Sequence, residues 1–178
     1  MNHHDMTRNM VLAALFAALT AIGAFLQIPT GTVPITLQFL FTALAGLLLG
    51  WKWGAISQLL YVGIGLLGLP VFTQGGGIGY VLQPSFGFLL GLIRALTTRR
   101  TGYLTVLAAV LVGDLILYAV GVPYMYLILH VYMQSAKTFP TLLAAMLVYV
   151  PGDTLKIVVV TALAPVLRRT LAKAVPNL

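Results

Sequence analysis

Met10-Val11-Leu12-Ala13-Ala14-Leu15-Phe16-Ala17-Ala18-Leu19-Thr20-Ala21-Ile22-Gly23-Ala24-Phe25-Leu26-Gln27-Ile28 contains no charged side chain. A helix rises 1.5 Å per residue, so this run spans nearly all of a hydrocarbon core of about 30 Å. Arg8 stands just before it and small residues, Gly23-Ala24, lie near its end, which is also the layout of a cleaved secretory signal. The rest of the chain decides for a retained helix. Its 178 residues are 60% hydrophobic and only 7% charged, with a mean hydropathy of +1.02. Soluble domains carry about 25% charged residues, and a water-soluble monomer of this size has no means of hiding so much apolar surface. A soluble enzyme, a secreted domain and a disordered tail are therefore excluded. The chain reads as one all-α integral membrane domain over residues 1–178, with residues 1–8 as a short cytoplasmic tail.

Outward from the first span, proline and glycine mark the borders. Pro29-Thr30-Gly31-Thr32-Val33-Pro34 breaks the helix, since proline has no N–H for the ladder and glycine supplies turn freedom. A second span covers residues 35–50 and ends at Trp51-Lys52-Trp53, two interface aromatics around a cation. A third covers 54–70. Residues 72–80, with Gly75, Gly76, Gly77 and Gly79, have no helical logic. The fourth and fifth spans cover 83–96 and 103–120. Pro123, Pro140 and Pro151-Gly152 then divide the remainder into two short helical pieces, 124–135 and 141–150, and a sixth crossing at 153–167. Fifteen residues reach only about 22 Å, so the start of the sixth helix is expected inside the membrane, shielded by protein or lining a cavity. The expectation is six transmembrane helices with a broken helical segment before the sixth.

Six crossings place both termini on one side, and charge names that side. Arg8, Lys52, Arg94, Arg99, Arg100, Arg168, Arg169 and Lys173 fall there, eight of the ten basic residues. This is the positive-inside pattern of a multi-pass protein with cytoplasmic termini. The net charge of +7 thus reflects topology, because the basic residues are too scattered to track a nucleic acid backbone. There is no Gly-x-x-x-x-Gly-Lys-Ser/Thr loop, so the chain does not hydrolyse ATP itself. With no cysteine, and His3, His4 and His130 too few and too dispersed, no metal site or cofactor is expected. A lipid-modifying membrane enzyme would want paired carboxylates, a His dyad or a metal at the interface, and the sequence shows none.

Three ionisable residues inside spans have no lipid explanation, since each costs roughly 2.5–3.5 kcal/mol to insert: Asp114, Asp153 and Lys156. Asp153 and Lys156 are three apart and share a helix face. Two readings stand. Asp153 follows Pro151-Gly152, as a helix N-cap would, with Lys156 merely pairing to it; or the two face a cavity and meet a polar ligand. Asp114 has Tyr118 one turn on, a candidate partner for its carboxylate. Gln38, Gln58 and Gln74 are of the kind that bridges helices. The glycines at 75–79 are either a backbone cradle for a ligand or an outer loop. On the first helix Ala13 and Ala17, like Ala14 and Ala18, are four apart, a spacing that lets helices approach closely, within the chain or from a partner.

These strings also carry a resemblance. Leu12-Ala13-Ala14-Leu15-Phe16-Ala17-Ala18-Leu19-Thr20, Val33-Pro34-Ile35-Thr36-Leu37-Gln38, Ala45-Gly46-Leu47-Leu48-Leu49-Gly50, Gly65-Leu66-Leu67-Gly68-Leu69-Pro70-Val71-Phe72 and Pro151-Gly152-Asp153-Thr154-Leu155-Lys156 make the chain resemble BioY, the biotin-binding S component of energy-coupling-factor (ECF) transporters. The resemblance implies an S-component fold in a prokaryotic cytoplasmic membrane and high-affinity biotin uptake rather than an enzymatic activity. It implies partnership with a membrane coupling protein (T component) and two cytoplasmic ATPases. An S component for another small vitamin is the runner-up. Asp153 and Lys156 are then the expected biotin ligands, Asp153 toward the ureido group and Lys156 toward the carboxylate. Tyr80 with Phe86 would form an aromatic wall, and Gly76, Gly77, Gln83 and Ser85 would add loop contacts. Ala13, Ala14, Ala17 and Ala18 would be the docking face. One stretch departs: where the family reads Gly-Pro-Thr-Gly-Gly-Tyr, this chain has Gln83-Pro84-Ser85-Phe86-Gly87-Phe88.

Overall fold

A computed structural model of the chain describes residues 3–30, 33–93 and 102–174, with His4 and residues 171–174 as backbone only. Gly31 and Thr32 of the expected first break lie outside the described residues, as do Arg94, Arg99 and Arg100. The chain folds as α1 (His3–Phe25), a two-residue hairpin of β1 (Gln27–Ile28) and β2 (Ile35–Thr36), α2 (Gln38–Leu66), a 3₁₀ turn at Ile78–Leu82, α3 (Phe86–Ile93), α4 (Tyr103–Leu127), α5 (Phe139–Ala145) and α6 (Val150–Ala174). The tail residues from His3 onward are thus already helical.

α2 is two arms, not one rod. Gly50 has φ +85°, a left-handed conformation that glycine adopts without steric penalty, and the helix reverses there. Beyond the turn, a Cβ on Gly54 would lie 2.8 Å from the Cα of Gly46, so the arms touch backbone to backbone. The arms correspond to the second and third expected spans. α1 packs most extensively against α2, and α3 against α4. With the two arms of α2 counted separately, α1, α2, α3, α4 and α6 match the six expected spans one to one, although the described part of α3 is only eight residues.

Two borders move. Pro123 was expected to end the fifth helix, but α4 continues through it to Leu127 and then into a five-residue π turn at Ile128–Tyr132. In a membrane, leaving the helix strands backbone groups without water, so a proline is tolerated where neighbouring packing and π adjustments absorb it. The sixth helix is 25 residues rather than 15, about 37 Å. It opens at Val150, because Pro151 and Gly152 sit in a first turn where proline's missing N–H costs nothing, and it runs past Arg168 and Arg169. The length argument for a start inside the membrane therefore falls away. The broken segment before it stands, as α5 and a 3₁₀ turn at Met146–Val148.

The main apolar cluster joins Phe16 of α1, Leu44, Leu47 and Tyr61 of α2, and Val160 of α6. A smaller one, with Val33, Val122, Met125 and Leu142, sits beneath the hairpin loop at the other end of the molecule from Gly50. Much of the remaining apolar surface, including Leu15, Ile22, Leu115, Leu155 and Val158, is exposed, which suits a protein solvated by lipid.

Candidate ligand-binding site

Asp153 and Lys156 are buried, each 7% exposed, and Lys156 Nζ lies 2.5 Å from Asp153 Oδ1. Asp153 is not the N-cap. The helix begins three residues earlier, and the Asp153 N–H already donates to the Tyr149 carbonyl at 2.9 Å in a regular helical bond. Its carboxylate turns instead toward α4, where Tyr118 donates its hydroxyl proton to Oδ2. Tyr118 is therefore not the partner of Asp114, whose Oδ1 is buried with no hydrogen bond. The helix N-terminus adds a favourable field for the Asp153 carboxylate.

Lys156 reaches across to the hairpin and donates to the Thr36 carbonyl at 3.3 Å, with the ammonium 6.0 Å from the Phe39 ring centroid. From there hydrogen bonds continue inward. Thr36 Oγ1 donates to Gln38 Oε1 at 2.9 Å, Gln38 Nε2 to the Tyr61 hydroxyl at 2.7 Å, and Tyr61 to the Val71 carbonyl at 3.0 Å. Gln38 thus bridges the two arms of α2, as an amide was expected to. Gln58 does the same one turn on, accepting from Thr42 at 2.9 Å and donating to Thr20 of α1 at 3.3 Å. Gln74 is exposed.

The ion pair forms one wall of a cavity with about 630 Å³ of space not filled by protein atoms, part of it open to solvent. The hairpin contributes Val33, Pro34 and Thr36, and Phe88, Leu89 and Leu117 of α3 and α4 add an apolar side. A second polar group stands on the glycine-loop side: Thr73 and Tyr80 hydroxyls 2.8 Å apart, with Ser85 3.2 Å beyond Tyr80.

Of the residues expected at the site, Asp153, Lys156, Tyr80 and Ser85 line the cavity, whereas Phe86, Gln83, Gly76 and Gly77 do not. Phe86 is buried in the main cluster beside Tyr124, ring centroids 5.9 Å apart. The glycine loop folds on itself. The Gly77 N–H donates to the Gly65 carbonyl at 2.7 Å, and a Cβ on Gly76 would lie 2.1 Å from the Leu69 oxygen. The glycines here allow close backbone packing. Thr36, Gln38, Phe39, Thr73, Phe88, Tyr118 and Tyr149 also line the cavity and were not among the ligand-binding residues expected from sequence. Thr36 and Gln38 had a signal, two polar residues just after a proline break in an apolar chain. Tyr118 had none for this role. The alanines of α1 divide: Ala13 and Ala17 are buried, at 2% and 5%, and Ala14 and Ala18 are exposed.

Comparison with known proteins follows the same outline. The sequence model of the BioY family matches residues 1–173. A probable biotin transporter BioY of Lysinibacillus sphaericus is 52% identical over 143 residues, 75% of this chain and 72% of that protein. The biotin transporter BioY of Rhodobacter capsulatus is 37% identical over 97% of each chain. A crystal structure of the S-component for biotin from an ECF-type ABC transporter superposes with a TM-score of 0.83, 29% identity and 95% of each chain covered. This chain, a multi-pass membrane protein with the S-component fold, belongs to the BioY family.

Proposed function

We propose that this protein captures biotin and serves as the substrate-specific subunit of an ECF-type transporter. It is a transporter subunit, not an enzyme. The observation that carries the reading is the buried Asp153–Lys156 pair on the wall of a largely apolar cavity. A donor and an acceptor 2.5 Å apart meet the same end of a ligand. The ureido group of biotin is the matching end, with a carbonyl to accept from Lys156 and N–H groups to donate to Asp153. Lys156, neutralised by Asp153, is then not reserved for the ligand's carboxylate. That end fits the Thr73, Tyr80 and Ser85 hydroxyls, and the thioether ring lies against Phe88 and Leu89. Desolvated charge-assisted bonds reject ligands that cannot reproduce them.

Gly23 of α1 abuts Leu37 and Gln38 at the start of the first arm of α2, so α1 runs antiparallel to that arm and Arg8 lies toward the Gly50 turn with Lys52. Arg168 of α6 lines a small crevice together with Leu47 at the same end. The site is at the opposite end. By the positive-inside rule the basic end is cytoplasmic, so the termini are inside and the cavity is outside. In this reading the exposed Ala14 and Ala18, in a prokaryotic cytoplasmic membrane, receive the T component, which carries two ATPases beneath it. Purified detergent-solubilised protein should bind radiolabelled biotin, which unlabelled biotin displaces while riboflavin and thiamine do not. Displacement by either of those vitamins, or no binding of biotin, rejects the assignment.

A further inference from the structure

Neither oxygen of Asp153 is left to find its own orientation. Oδ1 is held by Lys156 from its own helix and Oδ2 by the Tyr118 hydroxyl from α4. Tyr118 is itself fixed. Its ring stands edge-on to Phe88, centroids 6.0 Å apart at 90°, and Phe88 fills the notch left by Gly121, where a Cβ would fall 2.4 Å from the Phe88 ring. A phenol has one proton to give, and here it is committed to the carboxylate. Towards the cavity, Tyr118 and the Asp153 carboxylate therefore offer only acceptor lone pairs.

We infer that Tyr118 is a positioning residue for ligand recognition: it acts through Asp153, fixing the carboxylate as an oriented acceptor for the N–H groups of a ureido ligand. This rests on the assignment of Asp153 to biotin proposed above. Tyr118 is set by the glycine-notched packing of α3 on α4, so the contact between those two helices reaches the ligand through one hydroxyl. A ligand end without N–H donors gains nothing from this arrangement, which makes Tyr118 a determinant of specificity as well as affinity.

The test is a double-mutant cycle on the full chain in detergent, with biotin titrated to millimolar concentration. Tyr118→Phe keeps the ring against Phe88 and removes only the hydroxyl. It should weaken biotin binding about 10-fold in the native background, by the usual scale of charge-assisted hydrogen bonds, and less than about 2-fold when Asp153 is already Asn. 4-Aminophenylalanine incorporated at position 118 restores an N–H donor at the ring tip and should recover affinity to within about 3-fold of the native protein. Equal losses in both backgrounds, or no recovery with the amine, overturn the inference and leave Tyr118 as packing. If Asp153→Asn alone leaves biotin affinity unchanged, it is the site assignment beneath the inference that fails.

Discussion

Replacing Lys156 with Met separates what the buried ion pair does for the fold from what it does for the ligand. The substitution nearly conserves volume and removes the ammonium that lies 2.5 Å from Asp153 and 3.3 Å from the Thr36 carbonyl. Asp153, 7% exposed, is left with Tyr118 as its sole hydrogen-bond donor among the described side chains. Breaking a buried pair from one side costs about 3–5 kcal/mol, because the surviving charge is stranded. At 2–4 °C per kcal/mol for a chain of this size, the thermal midpoint of the ligand-free protein should fall on the order of 6–20 °C. Biotin loses a charge-assisted bond of about 1.5–3 kcal/mol, which is a roughly 10- to 150-fold weaker affinity. The informative comparison is the double variant Asp153→Leu with Lys156→Met. With both charges gone the desolvation penalty disappears, so most of the lost stability should return, while biotin binding stays at least as weak as in the single variant. Thermal unfolding in detergent and biotin titration measure the two effects separately. A double variant that binds biotin like the native protein would show that the pair is scaffold only. One no more stable than Lys156→Met would refute the argument from desolvation.

Ala14→Leu or Ala18→Leu, on the exposed side of α1, should leave biotin binding by the isolated protein within about 2-fold and lower uptake when the coupling module is present; normal uptake at normal expression would return that face to lipid. Ala17→Leu, which overfills a 5% exposed position, should instead destabilise the isolated protein by about 1–3 kcal/mol, seen as a lower thermal midpoint. Because the chain has no native cysteine, Gln74→Cys should react with an impermeant thiol reagent in intact cells and Lys52→Cys should not, and the reverse result would invert the topology. Gly54→Ala drives a methyl to within 2.8 Å of the Gly46 backbone, and the two arms of α2 can separate only by losing contacts, so a loss of about 1–3 kcal/mol is expected from overpacking, read by thermal unfolding.

The crossings were legible in the sequence because the bilayer sets one length scale and one composition for a span, and prolines and glycines punctuate the chain between them. Asp153 and Lys156 announced themselves because a charge in an apolar span has to be compensated. Borders were less certain where proline was taken to end a helix. At Pro123 the absence of water made continuing the helix cheaper than leaving it, and at Pro151 the proline sits where a helix starts without penalty.

Only the tertiary structure decided which polar side chains meet. A helix in lipid is apolar on its inner and outer faces alike, so the periodicity that identifies the buried side of a soluble helix is nearly silent here. Sequence could place Ala13, Ala14, Ala17 and Ala18 on one side of α1 but not say that packing on α2 buries Ala13 and Ala17 and leaves Ala14 and Ala18 outside. Tyr118 was one turn from Asp114 on its own helix, and local spacing favoured that pairing. The crossing of α4 with α6 turned its hydroxyl to Asp153 instead. Hydrogen-bond partners 35 residues apart are set by how helices cross, and that is a property of the whole bundle rather than of any stretch within it.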